Sequence, residues 1–112
     1  MAPARPARRI GSQLVLDVEG RLVIADGHGL ELTRREFDLL AHLSTRPGRV
    51  FTRAQLLAAV WDPVDAGHAG PRTVDVHIAR LRRKLGDQHA AALTTLRGVG
   101  YRWSTRPEVT GR

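Results

Sequence analysis

The chain contains no cysteine, which excludes disulfides, thiolate metal sites and cysteine nucleophiles together. Such a fold must rest on its hydrophobic core. No apolar run approaches the roughly 20 residues that span a bilayer, and the first residues hold no apolar stretch of the secretory kind. A cytoplasmic chain with no membrane partner is therefore expected. Lysine is nearly missing as well: of 18 Lys and Arg only Lys84 is lysine, and against 11 Asp and Glu the formal charge is +7. That excess points to a polyanion as partner, and guanidinium groups pair bidentately with phosphates and guanine edges. Internal repeats are lacking, and 112 residues suffice for one small domain with one modest core.

Residues 1–9, with two prolines, three arginines and no apolar periodicity, read as a flexible arm or linker. From Gln13 the pattern shortens into Leu14–Asp17, Arg21–Ala25 and Leu30–Leu32, separated by Glu19-Gly20 and Asp26-Gly27-His28-Gly29. Short β-rich runs with glycine turns predict a small antiparallel meander that must pack on helices. Thr33-Arg-Arg-Glu36 has the spacing of a capping box, and Thr52-Arg-Ala-Gln55 repeats it with Gln, so a helix is predicted to start at each. Pro47-Gly48 ends the first, and Val50 and Phe51 are placed to staple the second. Trp61 to Gly70 reads as a loop, longer than most connections between packed helices.

Pro71 to Gly86 reads as one helix with two opposed faces. At about 100° per residue, Val74, Ile78, Leu81 and Leu85 form an apolar stripe that must be buried. Arg72, Thr73, Val76, His77, Arg80, Arg83 and Lys84 share a broad arc on the other side, and Asp75 and Arg82 sit on a third flank. Pro71 suits the first turn, Arg82, Arg83 and Lys84 the last, and Gly86 the left-handed closing position. A solvated basic helix is the bland alternative. Asp87 to Ala92 is a polar connection, Leu93–Leu96 a strand, and Arg97–Gly100 a turn into Tyr101-Arg-Trp103, with residues 104–112 a polar tail.

This order resembles the OmpR/PhoB-type winged-helix effector domain of bacterial two-component response regulators, from about residue 10 to 103. The resemblance is carried by Leu32-Thr33, Glu36-Phe37, Leu39-Leu40, Pro47-Gly48, Val50, Arg53, Leu56 and Val60-Trp61, and further by Arg72-Thr-Val-Asp-Val-His-Ile78, Arg80-Leu-Arg-Arg-Lys-Leu85, Arg97-Gly98 and Gly100-Tyr101-Arg102. It implies an α+β winged helix-turn-helix with a short N-terminal antiparallel sheet, three helices and a C-terminal β-hairpin wing. It also implies a sequence-specific regulator on double-stranded DNA, with helix 71–86 in the major groove and the wing in the minor groove, commonly as two copies on tandem direct repeats.

Under that resemblance Arg80 would read a base edge, with Thr73 and Val76 beside it. Arg97 would enter a narrow A·T-rich minor groove. Arg72, His77, Arg82, Lys84, Thr95 and Tyr101 would hold phosphates, which position without specifying sequence. Arg82 has a pairing with Asp75 as its alternative. Trp61 would donate its indole N–H to phosphate or simply pack, while Trp103 and Phe37 belong to the core. For Gly98 and Gly100 plain turn geometry is the preferred reading. The loop with Asp62, Pro63, Val64, Asp65 and His68 corresponds to the family's RNA polymerase contact; its acids and histidine are poor evidence for a metal. No receiver domain is expected in this chain, and no cofactor. No nucleophile, base and orienting group can be assembled, with Glu36 used in a cap and Asp75 beside a basic flank, so an enzyme is not expected. The competing reading is a winged helix that docks an acidic protein, which would need charge but not the mixed reading edge of Thr73, Val76 and Arg80.

Overall fold

Two threonines set where the first helices begin. In the computed structural model, which describes residues 7–104, Thr33 Oγ1 accepts from the Glu36 amide at 3.2 Å and Glu36 Oε1 accepts from the Thr33 amide at 2.9 Å. Thr52 and Gln55 do the same at 3.0 and 2.9 Å. These reciprocal caps satisfy amides that the first turn leaves orphaned. They open α1 (Arg34–Thr45) and α2 (Arg53–Val60).

The stretch expected as an open loop contains a short helix, α3 (Pro63–His68), started by a proline whose missing N–H costs nothing there. α4 (Pro71–Ala90) follows. Gly86 interrupts it at φ 84°, the left-handed residue that the sequence suggests as the end of the regular helix. One more turn then covers residues that read as connection.

The N-terminal sheet has four antiparallel strands in chain order, β1 (Ala7–Gly11), β2 (Leu14–Asp17), β3 (Leu22–Ala25) and β4 (His28–Leu30). Asp26 and Gly27 both take positive φ between the paired Ala25 and His28, the two-residue turn whose twist suits a hairpin. Residues 7–9 belong to β1, with Arg8 opposite Leu16, and not to a flexible arm. Edge pairing outweighs their arginine content, because alternate side chains face solvent. The expected arm before them and tail after Ser104 lie outside the described residues.

A second sheet, in the order β5-β7-β6, holds β5 (Val50–Thr52), β6 (Leu93–Leu96) and β7 (Gly100–Trp103). The hairpin β6–β7 is the expected wing. β5 is an addition: Val50 and Phe51, read as a staple, pair with Arg102 and Tyr101. This sheet corrects the reading of Gly100, which lies in a strand and not in the turn. A Cβ there would collide with the Phe51 carbonyl oxygen, so close approach of β5 is what requires glycine. Gly98 does serve the turn, at φ 75°.

The three longer helices pack on one another and share one core with the N-terminal sheet. Leu14, Leu16 and Val23, then Phe37, Leu39, Leu40 and Leu43, then Leu56 and Val60 enclose Val74, Ile78, Leu81 and Leu85 of α4. The buried Trp103 donates its indole N–H to the Ile10 carbonyl at 2.8 Å, which joins the first strand to the last.

Gly100→Ala is expected to destabilise the domain by about 1–3 kcal/mol or more, since backbone atoms are the obstacle. Gly67→Ala, in the open space of α3, should be neutral or gain about 0.4–1 kcal/mol. Chemical denaturation of both variants checks the contrast, and equal midpoints would remove the close-approach argument.

Candidate nucleic-acid interface

With its apolar stripe locked in the core, α4 has one face left. Arg72, Val76, Ala79, Arg80 and Arg83 run along it, all exposed, and Val76 keeps 43% of its surface between arginines. Arg72, Arg80 and Arg83 make no ion pair or hydrogen bond among the described residues. Arg97, exposed at the wing turn, is equally unengaged. Free guanidinium groups on a rigid support are what a polyanion needs. Arg83 shares this strip, yet the sequence reading gives it no contact. Its i, i+4, i+8, i+11 relation to Arg72 is the signal that would have found it.

The two flanks of α4 are occupied by neighbours, and this narrows the arc drawn from the wheel. On one flank Lys84 reaches α1, where its ammonium donates to Glu36 Oε1 at 2.7 Å. Lys84 is thereby withdrawn from the phosphate set: an ammonium 38% exposed is held by a carboxylate that is 1% exposed. Burial would raise the Glu36 pKa, but the bonds from Lys84 and Thr33 and the lysine's charge outweigh it and hold the carboxyl below 4.5. On the same flank Trp61 is 7% exposed and meets the His77 ring edge-on at 5.2 Å, while its indole N–H makes no hydrogen bond among the described residues. His77 Nδ1 donates to the Thr73 carbonyl at 2.8 Å, so the neutral ring carries its proton there and presents Nε2 as an acceptor, which gives a phosphate oxygen no hydrogen bond.

On the other flank Asp75 and Arg82 face the wing. Arg82 donates to the Leu93 carbonyl at 2.8 Å and to Thr95 Oγ1 at 2.6 Å, and its guanidinium lies 5.7 Å from the Tyr101 ring centre. It does not pair with Asp75, the expected alternative, and both of its bonds come from one terminal nitrogen, Nη2. Asp75 Oδ1 instead accepts from Arg53 Nε at 2.9 Å and from the Tyr101 hydroxyl at 2.6 Å. The Tyr101 proton is therefore committed inside the protein, and burial followed by the bond to Asp75 raises its pKa above 10. Thr95, exposed, accepts from Arg82 and keeps its own proton to donate. Arg53 was not a candidate in the sequence, because nothing in the α2 pattern indicates which partner its side chain meets.

The residues of the expected polymerase loop go separate ways. Asp65 pairs with Arg35 at 3.0 Å, whose other nitrogen donates to the Val60 carbonyl. Asp62 lies 4.0 Å from Arg34 with both side chains 64% exposed, a pair of little energetic weight. His68 Nδ1 bonds the Val64 carbonyl one turn back. Among the described residues no three metal-ligating side chains converge, and no helix is long and apolar enough to cross a membrane. Val64, 69% exposed beside Pro63, is an outward apolar group on α3.

Glu36 gives a pH prediction. Its folded pKa lies below 4.5, so the stability it contributes is present above that value and is lost as pH falls through the folded pKa. Lys84→Ala should cost about 1–3 kcal/mol at neutral pH, by leaving a buried carboxylate short of a charged donor. The loss should shrink once Glu36 is protonated. Denaturation at pH 7 and below pH 4 measures it; a loss independent of pH would contradict the pair's role.

The relatives agree with this geometry. Residues 27–103 match the family model "Transcriptional regulatory protein, C terminal". The phosphate regulon transcriptional regulatory protein PhoB of Pseudomonas aeruginosa is 42% identical over 93 residues, covering 83% of this chain and 40% of that protein. The DNA binding domain of CpxR from E. coli superposes with a TM-score of 0.71 at 37% identity, over 89% of this chain and 97% of that one. The Klebsiella pneumoniae RstA DNA-binding domain, solved in complex with the RstA box, gives a TM-score of 0.71 at 30% identity, over 88% and 97%. This chain spans about 40% of the length of the PhoB relative. With the family model matched across α1 to β7 and the fold shared with solved effector domains, the chain belongs to the transcriptional regulatory protein C-terminal family, the OmpR/PhoB-type winged-helix effector domains.

Proposed function

We propose that this chain is the DNA-reading part of a transcriptional regulator and binds double-stranded DNA sequence-specifically, with α4 in the major groove and the β6–β7 wing at the adjacent minor groove. The observation that carries this reading is the exposed strip Arg72, Val76, Arg80, Arg83, unpaired along a helix whose opposite face is buried. Arg80, central on the strip, presents a fork that matches guanine O6 and N7. Val76 and Thr73 beside it meet a thymine methyl or a base edge. An acidic protein would not require an apolar group exposed between arginines, which favours DNA over the protein-docking alternative.

Arg72 and Arg83 at the two ends of the strip and Thr95 through its hydroxyl hold phosphates, and these contacts set register. Arg97 enters the minor groove, where a narrow A·T-rich stretch concentrates negative potential. The partners follow from the same reading: two copies on tandem direct repeats, RNA polymerase at the α3 surface around Val64, and a receiver domain elsewhere in the full-length protein. The work is done in the cytoplasm, where the DNA is. Chemistry plays no part in it, and no cofactor is required.

Selection from a random-sequence duplex pool supplies the preferred site. Arg80→Ala should then lose about 1–3 kcal/mol on that site and relax one base position, with little change on random duplex, while Arg83→Ala weakens both and lowers the salt slope by about one. Equal losses on selected and random DNA for Arg80→Ala would remove it as the reader. Arg97→Ala should lose most where the flank is A·T-rich; indifference to the flank would make the wing turn a solvated one.

A further inference from the structure

Asp75 is an acid in a surface directed at a polyanion, the one acidic residue in α4 before Gly86. Facing phosphates it weakens attraction, so its presence calls for an offsetting role inside the protein. One oxygen of it accepts two donors from different elements, Arg53 at the start of α2 and Tyr101 in β7. Seven residues further along the same flank, about 10 Å by helical rise, Arg82 donates twice to β6 and lies over the Tyr101 ring. Tyr101 is paired across the hairpin with Thr95, so both attachments end on facing residues of the wing.

β7 is fixed along one edge by β5, and the two attachments spaced along α4 set how its other side, β6 and the turn beyond, sits against the helix. We infer that Asp75 and Arg82 are positioning residues that fasten the wing to the recognition helix and so fix the separation between the base-reading strip and the minor-groove contact of Arg97. This rests on the DNA reading above and deepens it. The specificity that Arg97 gives to flanking A·T content is then borrowed from the clasp, because with β5 alone as anchor the β6 edge and the turn carrying Arg97 can tilt along the groove. Arg53 takes a second role in the arrangement. Its Nε is held by Asp75 while its side chain stays 48% exposed, which joins α2 to the clasp.

The test compares wild type, Asp75→Asn and Tyr101→Phe on the duplex selected from a random pool by the wild-type chain, with and without its A·T flank, and on random duplex. Tyr101→Phe keeps the ring and its contact with Arg82 and removes only the hydroxyl. Thermal melts accompany each titration, so that loss of fold is separated from loss of selectivity. Asp75→Asn is expected to bind random duplex as tightly as wild type or more tightly, having lost a negative charge. Its affinity for the flanked selected duplex should fall about five- to tenfold, a coupling within the range seen for contacting residues. Tyr101→Phe should fall in the same direction, and it alone carries the test if Asp75→Asn does not fold. In either background Arg97→Ala should no longer distinguish the flanks.

Affinities for selected and random duplex that move together, or an undiminished flank effect of Arg97→Ala in the variants, would overturn the clasp while leaving the DNA reading in place. A wild-type chain for which no duplex is enriched would overturn both.

Discussion

Burial of four side chains on one helix is the constraint on which the rest depends. Val74, Ile78, Leu81 and Leu85 are 0–4% exposed, and at about 1.5–3 kcal/mol each they contribute about 6–12 kcal/mol as an upper figure. That is comparable to the whole stability of a small domain. α4 therefore cannot roll without unfolding the core, and whatever lies opposite the stripe is presented rigidly. Arg72, Val76, Arg80 and Arg83 lie there by geometry alone. A reading head needs such rigidity, because a base contact displaced by an ångström is no contact.

The positive charge of the chain divides by the same geometry. Cations beside the core boundary are tied: Lys84 to the buried Glu36, Arg35 to Asp65 and the Val60 carbonyl, Arg82 to β6, Arg53 to Asp75. Those opposite the stripe and at the wing turn stay free. The tied group joins α4 to α1 on one flank and to the wing on the other, so the paired charges brace the helix that carries the unpaired ones. Asp75 belongs to this scheme, since one of its oxygens takes donors from both α2 and the wing.

Local signals made much of this legible in the sequence. Capping boxes at Thr33 and Thr52, the apolar period of α4, Pro71 and Gly86 each act within one element and appear where the pattern puts them; the separator expected over Asp26–Gly29 shrinks to Asp26-Gly27, and the strand expected at Leu30–Leu32 lies at His28–Leu30. What was not legible depends on pairing between distant segments. β5 is three residues long and exists because β7 offers it an edge, and Gly100 is glycine because of a carbonyl some fifty positions earlier in the chain. The helical wheel put Lys84 and Arg82 outside the core, but it carries no information on which neighbour covers each flank. The wheel therefore suggests phosphate for Lys84 and either phosphate or Asp75 for Arg82, while in the structure Lys84 bonds α1 and Arg82 bonds β6. α3 lay hidden in a stretch where glycine and proline outweigh any apolar period.

The claim that the strip opposite the buried stripe is the reading surface is tested most directly by chemical-shift mapping of the labelled chain during titration with its selected duplex. The account predicts large shifts along Arg72, Val76, Arg80 and Arg83 and at Arg97 to Val99, with the N-terminal sheet and α1 nearly silent. Shifts centred on the sheet around Arg8, Arg9 and Arg21, or spread evenly over all exposed arginines, would contradict it.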